Sequence, residues 1–464
     1  MEKLSGLKVA LDAWRVSKAG PQEIAKRQRR RLSELVAFAR TNSPFYAEKY
    51  RDIPENITDV TQLPPVTKAE LMANFDRWVT DPAVTREGVE KFMSDPSLAG
   101  IHYAGKYMVC TTSGSTGVPA ILVHDDGLDT VVKMVALVRT VPVWMKHGGI
   151  GKSVLKDRTA GVWATGGHFL AAASIARRER EHPARASRSK AFSVLTPISE
   201  LVRQLNDYQP TRLASYPTGL ALLADEKRAG RLRISPSMII SSGEYLSDEV
   251  RSEIEGAFGV KVWNSYGCSE IPMIAYDCGH GWMHVHSDWA IIEPVDVDGR
   301  PSKPGEISHT SYVTNLANRV QPFIRYELGD RITINTEPCP CGSKLPRIQV
   351  EGRTDDVLSF RAGNGQAVRV LPLALFAVAK ETPGLYRVQM VQTSPVELSV
   401  RLEAKTAGDE GLVWPVLKGR LQAFLAGQGL TSVEISRAPE PPQRDPRSGK
   451  FRHVYAVKGS QAIG

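Results

Sequence analysis

The sequence contains little that would mark a secreted or membrane-spanning protein. Only 5 of its 464 residues are cysteine, which is too few for a disulfide-stapled scaffold. Its most apolar short runs, Val131–Val138 and Phe169–Ala176, are far shorter than the roughly 20 residues that a bilayer requires. The N-terminal segment also lacks an apolar core followed by a small-residue cleavage site. We therefore expect a cytoplasmic protein with free thiols and no membrane partner.

Motifs of several common protein classes are missing as well. No GxGxxG, HExxH or GxSxG pattern is present, so dinucleotide-dependent dehydrogenases, zinc proteases and α/β-hydrolases lack support. Lys146–Ser153 ends like a Walker loop, but its first glycine is replaced by a lysine. The net charge is only +9, and Glu23 and Glu34 flank the basic cluster at Lys26–Arg31, as is typical of a solvated helix face. We expect no nucleic-acid partner.

The composition and the order of patterns predict an α/β protein of two domains. Hydrophobic residues make up 42% of the chain and charged residues 23%, as in ordinary globular proteins. Between Tyr107 and Tyr276, β-rich runs alternate with helical patterns, which favours layered sheets with parallel strands. The pattern changes after Arg353. We predict a large N-terminal domain of layered α/β sheets, residues 1–353, and a smaller, mobile α+β domain, residues 354–464.

Individual elements follow from hydrophobic periodicity and capping signals. A helix is predicted over Pro21–Thr41, and a capping box at Thr67–Glu70 opens another. Strands are predicted at Ala120–His124, Ser153–Leu155, Gly161–Ala164, Arg212–Ser215, Met238–Ser241 and Lys261–Ser265. The helices between these strands are predicted at Leu128–Val138, Ile198–Asp207, Leu220–Ala229 and Ser247–Ala257. In the C-terminal domain we predict strands at Val357–Phe360, Leu385–Gln392 and Val396–Glu403, with helices at Leu373–Lys380 and Leu412–Ala426.

A run of small hydroxyl residues and glycines directly precedes the strand predicted at Ala120–His124. Its members are Thr111, Thr112, Ser113, Gly114, Ser115, Thr116 and Gly117. Such a loop lets backbone N–H groups and hydroxyls converge on phosphate oxygens without obstruction by side chains. We therefore predict a phosphate-binding loop here.

The cysteines are spaced in a way that permits a metal site. Cys339 and Cys341 form a tight pair, and Cys278 lies six residues before His284. Zinc favours four such ligands in tetrahedral geometry, and two short pairs separated by a long loop can supply them. The best set is Cys278, His284, Cys339 and Cys341, with His280 or His286 as substitutes for His284. Four protein ligands would leave no open position for catalysis, so the predicted zinc is structural.

Three further phrases follow the hydroxyl-rich loop in chain order, and a fourth lies near the C-terminus. They are Trp263–Glu270 (WNSYGCSE), Arg325–Asp330 (RYELGD), Gly352–Asp356 (GRTDD) and Arg447–Lys450 (RSGK). Together they resemble the adenylate-forming superfamily of acyl-CoA synthetases. Ser43–Tyr46, Leu63–Lys68 and Ser241–Glu244 make the chain similar, over nearly its whole length, to the phenylacetate–CoA ligase family, which includes coenzyme-F390-synthetase-like proteins.

The resemblance implies an AMP-forming ligase that uses ATP, Mg²⁺ and coenzyme A. A carboxylic acid would attack the α-phosphate of ATP, and the acyl-adenylate would then pass its acyl group to coenzyme A. Glu270 would coordinate Mg²⁺, Asp330 would accept the ribose hydroxyls, and Tyr266 would stack on the adenine. The other residues implied to bind ATP, beside the hydroxyl-rich loop, are Gly243, Glu244, Gly267, Ser269 and Arg353.

The resemblance also assigns the second half of the reaction and the acid pocket. Lys450, in the C-terminal domain, would be the catalytic cation, and Asp355 would be the hinge about which that domain swings. The likeliest walls of the acid pocket are Trp163, Thr165, Gly166, Phe169, Tyr216 and Pro217. Their aromatic content favours an aryl or arylacetic acid. Family members with zinc at matching positions favour His284 as the ligand, and the family implies a homodimer.

Three other interpretations stay open on the sequence alone. The acceptor can be an amine or a carrier-protein thiol, because the activating motifs would be identical. A zinc-stabilised nucleic-acid-binding protein is a second alternative, although no base-contacting pattern supports it. A homologue that binds nucleotide without turnover is a third, and the presence of Glu270, Asp330, Arg353 and Lys450 argues against it. Which acid is used, and in which pathway, is not readable from the sequence.

Overall fold

The computed structural model describes residues 4–112, 120–146, 157–165, 168–183, 187–351, 358–370, 372–443 and 453–457. Elements are numbered within these ranges. The α-helices are α1 Gly6–Lys18, α2 Pro21–Asn42, α3 Pro44–Lys49, α4 Lys68–Ala73, α5 Phe75–Trp78, α6 Arg86–Met93, α7 Asp126–Val135, α8 Val141–Lys146, α9 Leu170–Glu181, α10 Ile198–Tyr208, α11 Pro217–Arg228, α12 Asp248–Phe258, α13 Pro372–Lys380 and α14 Glu410–Gly427. None of these helices is long and apolar enough to cross a bilayer.

The strands are shorter and fall into five sheets of the described chain. They are β1 His102–Tyr103, β2 Tyr107–Thr111, β3 Ile121–His124, β4 Thr159–Trp163, β5 Ser189–Ser193, β6 Arg212–Ser215, β7 Met238–Ser242, β8 Val262–Tyr266, β9 Ala275–Asp277, β10 Met283–Val285, β11 Ala290–Val295, β12 Thr310–Asn315, β13 Tyr326–Glu327, β14 Ile332–Asn335, β15 Arg347–Val350, β16 Leu358–Arg361, β17 Ala367–Val370, β18 Leu385–Ser394, β19 Glu397–Ala404, β20 Glu434–Arg437 and β21 Val454–Ala456.

A nine-stranded sheet organises the N-terminal part of the molecule, in the order β14-β15-β10-β9-β8-β7-β6-β4-β5. The strands β5, β4, β6, β7 and β8 are parallel, and β9, β10, β15 and β14 extend the sheet antiparallel. Apolar residues such as Val162, Leu213 and Ile239 are buried against helices, as expected of parallel strands covered on both faces. This confirms the predicted α/β fold class. The carboxyl ends of β4, β6, β7 and β8 share one edge, which is where α/β sheets bind ligands.

The N-terminal helices form a second layer that is tied to the sheet region by buried donors. Tyr46 Oη and Trp78 Nε1 both donate to the carbonyl of Pro322, at 3.0 and 2.7 Å. One of the two hydrogen bonds of the predicted capping box is confirmed: Thr67 Oγ1 accepts from the backbone N–H of Glu70. Two three-stranded sheets, β1-β2-β3 and β11-β12-β13, share an apolar core with these helices.

The C-terminal part has its own apolar core, formed by described residues between 358 and 456. It contains the hairpin β16-β17 and the four-stranded sheet β20-β19-β18-β21, packed by α13 and α14. Its contacts with the N-terminal part include apolar packing by Ala374 and Phe424 as well as polar contacts. The Arg369 guanidinium lies 3.5 Å from the Asp225 carboxylate, and the backbone N–H of Ile198 donates to Gln428 at 3.4 Å. The predicted domain boundary at residues 353 and 354 lies outside the described residues.

Some elements differ from the sequence-based expectations, and one predicted strand is not tested. The strand predicted at Ser153–Leu155 lies outside the described residues. Strand β5 was not predicted, because it is an edge strand in which only Phe192 is buried, so no apolar run marks it. The helix predicted over Leu128–Val138 is α-helical only to Val135 and continues as a π-helical segment, Ala136–Thr140. Arg139 in this segment is buried and donates to Asp288.

Candidate active site and metal cluster

The two ends of the predicted phosphate-binding loop are held together at the end of β2. Thr112 exchanges two hydrogen bonds with Ala120, one through its backbone N–H and one through its hydroxyl, at 3.1 and 2.9 Å. The backbone N–H of Thr111 donates to the carbonyl of His168 at 2.8 Å. Ser113, Gly114, Ser115, Thr116 and Gly117 lie outside the described residues. The described stem therefore fixes where the loop leaves and rejoins the hairpin β2-β3.

Tyr266 and Asp330 come from different phrases of the sequence and meet in the structure. Tyr266 ends β8, and its hydroxyl donates to Asp330 Oδ2 at 2.8 Å. Asp330 is almost fully buried. A carboxylate whose one oxygen is held by a phenol keeps acceptor capacity for a ligand hydroxyl.

Glu270 is held on both its side chain and its backbone. Its carboxylate is buried and accepts from the Tyr326 hydroxyl at 2.9 Å. The amide of Asn315 donates to the carbonyl of Glu270 at 2.8 Å. Sequence reasoning quoted Tyr326 only as part of a phrase and gave Asn315 no role. The signal available for Tyr326 was its place in that phrase, four residues before Asp330.

The turn between Tyr266 and Glu270 depends on close backbone packing. A Cβ added to Gly267 would lie 2.3 Å from the carbonyl oxygen of Pro272, so only glycine fits there. The carbonyl of Ser269 accepts from His124 Nε2 at 2.8 Å. Burial lowers the pKa of His124 to about 4, so a neutral imidazole holds this carbonyl at pH 7. The turn that presents Glu270 is therefore rigidly positioned.

Gly243 and Glu244 lie just beyond the end of β7. Gly243 has a positive φ of 86°, and an added Cβ would lie 3.0 Å from the ring of Tyr216. The carboxylate of Glu244 accepts from the Thr218 hydroxyl at 2.6 Å, in the first turn of α11. Both residues thus border the ends of β6 and β7, beside the predicted acid pocket.

Part of the predicted acid pocket is assembled at the ends of β4 and β6. The rings of Trp163 and Tyr216 meet edge to face with centroids 5.0 Å apart. Phe169 precedes α9, and the ammonium of Lys380 from α13 lies 4.4 Å from its ring centroid. Burial lowers the pKa of Lys380 to about 8. Thr165 and Pro217 adjoin these residues along the chain, whereas Gly166 lies outside the described residues.

Besides Ser113–Gly117 and Gly166, three more residues with predicted roles lie outside the part of the chain that the structure describes. They are Arg353, Asp355 and Lys450. Their roles remain predictions from the sequence.

Four potential metal ligands converge beside the antiparallel end of the large sheet. One donor atom from each of Cys278, His284, Cys339 and Cys341 lies within 4.8 Å of all the others. The sulfurs of Cys278 and Cys339 are 3.6 Å apart, and tetrahedral zinc with Zn–S bonds of about 2.3 Å would place two sulfurs about 3.8 Å apart. The side chains therefore fit a tetrahedral zinc ion.

The histidine in this cluster is oriented for metal binding. His284 Nδ1 lies 3.0 Å from the carbonyl of Leu345 and must donate to it, which leaves Nε2 without a proton and 3.1 Å from Cys341 Sγ. His286 instead accepts from Arg139 at Nδ1, and His280 is exposed. Of the three candidates, His284 alone stands in the cluster of described ligands.

The surroundings of the cluster disfavour charge on Cys278 and on His284. Burial raises the pKa of the Cys278 thiol and lowers the pKa of His284. The backbone N–H of Ser343 points at Cys341 Sγ from 3.5 Å. A divalent ion would stabilise thiolates here that burial alone disfavours.

Comparisons with known proteins agree with the resemblance read from the motifs. No protein-family model matches the chain. The phenylacetate–coenzyme A ligase of Thermus thermophilus is 25% identical over 468 residues, which cover 93% of this chain and 96% of the relative. The phenylacetate–coenzyme A ligase of Pseudomonas putida is 29% identical over 278 residues, covering 55% and 59% of the two chains.

The comparison of folds also finds an acyl-CoA ligase. A solved structure of 2-hydroxyisobutyryl-CoA ligase in the postadenylation state superposes with a TM-score of 0.56 at 20% identity, covering 96% of this chain and 92% of that chain. At this level of identity the likeness concerns the fold. The chain is therefore similar in sequence to phenylacetate–coenzyme A ligases over nearly its whole length, and its fold is like that of 2-hydroxyisobutyryl-CoA ligase.

Proposed function

We propose that the protein activates a carboxylic acid with ATP and transfers the acyl group to coenzyme A. The observation that carries the proposal is the meeting of two pairs, Tyr266 with Asp330 and Glu270 with Tyr326, whose members are 64 and 56 positions apart in sequence and are joined by side-chain hydrogen bonds. The relationship to phenylacetate–coenzyme A ligases over most of the chain supports the same activity.

In the first half-reaction the ATP would lie along the edge formed by the strand ends. The carboxylate of Asp330 would accept hydrogen bonds from the two ribose hydroxyls. Gly243 and Glu244 would border the adenine with the ring of Tyr266. The hydroxyl-rich loop, Thr111–Gly117, would surround the phosphates, and Ser269 and Arg353 would add contacts in line with the sequence resemblance.

Glu270 is the residue proposed to hold Mg²⁺. When bound, the ion would neutralise phosphate charge as pyrophosphate departs. Tyr326 and Asn315 keep the Glu270 carboxylate and backbone in one position. We infer that these two residues act by positioning Glu270 and do not themselves touch the nucleotide.

Lys450 is proposed as the cation that bridges the acid carboxylate and the α-phosphate. The C-terminal domain would then swing about Asp355, so that the thiol of coenzyme A reaches the acyl-adenylate. Separating the steps in this way is a gating motion of the kind that many enzymes use.

The acid is proposed to be an aryl or arylacetic acid. The edge-to-face pair of Trp163 and Tyr216, with Phe169, provides aromatic surface at the strand ends, and offset or edge contacts between rings are favourable. Thr165, Gly166 and Pro217 would complete the walls of this pocket.

A structural zinc ion is proposed at Cys278, His284, Cys339 and Cys341. It would link the turn after β9 to the turn before β15, and it would take no part in the reaction. We further propose a cytoplasmic location and a homodimer, in keeping with the resemblance to the family.

The second candidate function is transfer of the activated acyl group to an amine or to a carrier-protein thiol. Product identification separates the two. With ATP, Mg²⁺, an accepted acid and coenzyme A, the enzyme should release AMP and acyl-CoA in equal amounts. Formation of product only with an amine or a carrier protein would favour the second candidate.

Tyr266→Phe tests the proposed ATP site. It removes a hydrogen bond to a buried carboxylate, which is worth about 1.5–3 kcal/mol, so the KM for ATP should rise about tenfold or more while the KM for the acid changes little. Tyr326→Phe is the matched control, since it removes an equivalent hydroxyl from Glu270 and should instead raise the Mg²⁺ concentration required. An unchanged KM for ATP in Tyr266→Phe would contradict the assignment of Asp330.

A further inference from the structure

Helix α1 presents an apolar stripe to solvent. Leu7, Leu11 and Trp14 are 71%, 46% and 50% exposed, and their spacing of four and three residues places them on one line of the helix. The opposite face, including Ala13 and Val16, is fully buried. The stripe is therefore not the side by which α1 is anchored to the rest of the protein.

Basic residues accompany this stripe. Lys8, Arg15 and Lys18 are exposed on the same side of α1, and the Lys18 ammonium lies 4.0 Å from the Trp14 ring centroid. The acidic residue of the helix, Asp12, is turned inward, where it pairs with Arg27 and Arg31 at 2.8 and 2.5 Å. No carboxylate in the described part of α1 offsets the charge beside the stripe.

Helix α2, which pairs with α1 through Arg27 and Arg31, also carries exposed positive charge. Lys26, Arg29 and Arg30 are exposed. The guanidinium of Arg30 lies 3.6 Å from the carboxylate of Glu34. The sequence alone predicts that this basic cluster is a solvated helix face. The structure adds that its neighbouring helix carries an exposed apolar stripe, which a merely solvated face does not require.

The exposed apolar stripe and the basic residues beside it together favour one kind of partner over the others. A second copy docked about a two-fold axis would place Lys8, Arg15 and Lys18 near their own equivalents, with like charges opposed. A nucleic acid would satisfy the charges but leave Leu7, Leu11 and Trp14 exposed. An anionic lipid surface suits both the apolar stripe and the basic residues. Apolar and tryptophan side chains enter the headgroup region, while basic side chains contact the phosphates.

We propose that the α1 face is a docking surface for an anionic phospholipid membrane. The protein would lie on the bilayer through the stripe and the flanking basic residues, without crossing it. This inference is independent of the proposed catalytic function, and it departs from the expectation that the protein has no membrane partner.

The test is flotation of the full-length protein with vesicles. One set consists of phosphatidylcholine alone and the other of an equimolar mixture of phosphatidylcholine and phosphatidylglycerol. We expect binding to the anionic vesicles that weakens with added salt. Leu7→Glu/Leu11→Glu should weaken this binding about tenfold or more, because it removes apolar contact and adds repelled charge.

The matched control is Leu412→Glu, which changes a leucine that is 74% exposed on α14. It should bind like the unmodified protein, and circular dichroism should show all variants folded. Three results would overturn the proposal: no flotation of the unmodified protein, equal flotation of the double variant, or equal binding to both vesicle types. Loss of a dimer on sedimentation of the double variant, without any lipid binding, would assign the stripe to a second copy.

Discussion

Lys450→Ala is expected to reduce acid-dependent adenylate formation by about 10²–10³-fold or more, the usual effect of removing one charge-stabilising group. The carboxylate and the α-phosphate are both negative, so their approach needs a cation between them. An ammonium on a flexible stem suits this role. The measurement is single-turnover formation of acyl-adenylate with saturating ATP and acid.

The same variant should leave the second half-reaction largely intact. Thioester formation from a pre-made acyl-adenylate and coenzyme A does not require the bridging cation. Lys458→Ala is the matched control, because it removes the same charge eight residues later in the chain and should affect neither step. An equal fall in both half-reactions would contradict the assignment of Lys450 to adenylation.

Replacing two of the clustered cysteines should have the largest effect on folding. Structural zinc contributes about 10–16 kcal/mol in zinc-finger peptides, which is comparable with the whole stability of a typical protein. Cys339→Ser/Cys341→Ser should therefore lose its zinc and either unfold or melt at a much lower temperature. Metal analysis of purified protein, combined with thermal unfolding, measures both quantities.

Cys268→Ser is the control for this experiment. Cys268 is a thiol in the turn before Glu270 and stands outside the four-ligand cluster, so its replacement should leave the zinc content unchanged. Undiminished zinc in the double variant would show that the metal, if present, binds elsewhere.

The elements that the sequence predicted well are those with strong local signals. The ends of β6 and α10 fall within one residue of their predictions, since both have clear apolar periodicity. Thr67 was identifiable as a cap because a hydroxyl residue followed by glutamate three positions later satisfies exposed helix N–H groups. Strand β5 has no such signal, because an edge strand needs little apolar sequence.

The candidate site also has some features that could be predicted from the sequence and others that could not. Residue types and spacing were enough to choose the four clustered ligands, yet the choice of His284 over His280 and His286 from the residues alone stayed open. That choice depends on which imidazole faces the cysteines, and Leu345 and Arg139 decide it through hydrogen bonds distant in sequence. The contact of Tyr326 with Glu270 likewise arises only when strands β13 and β8 are brought together by the fold.

ATP–pyrophosphate exchange without any acceptor is the most direct test of whether this protein forms an acyl-adenylate. The assay would use Mg²⁺ and a panel of aryl, arylacetic, heteroaromatic and aliphatic acids. We predict exchange that depends on the acid and is strongest for aryl or arylacetic acids. Absence of exchange with every acid, from folded protein that retains its metal, would contradict the proposed adenylation.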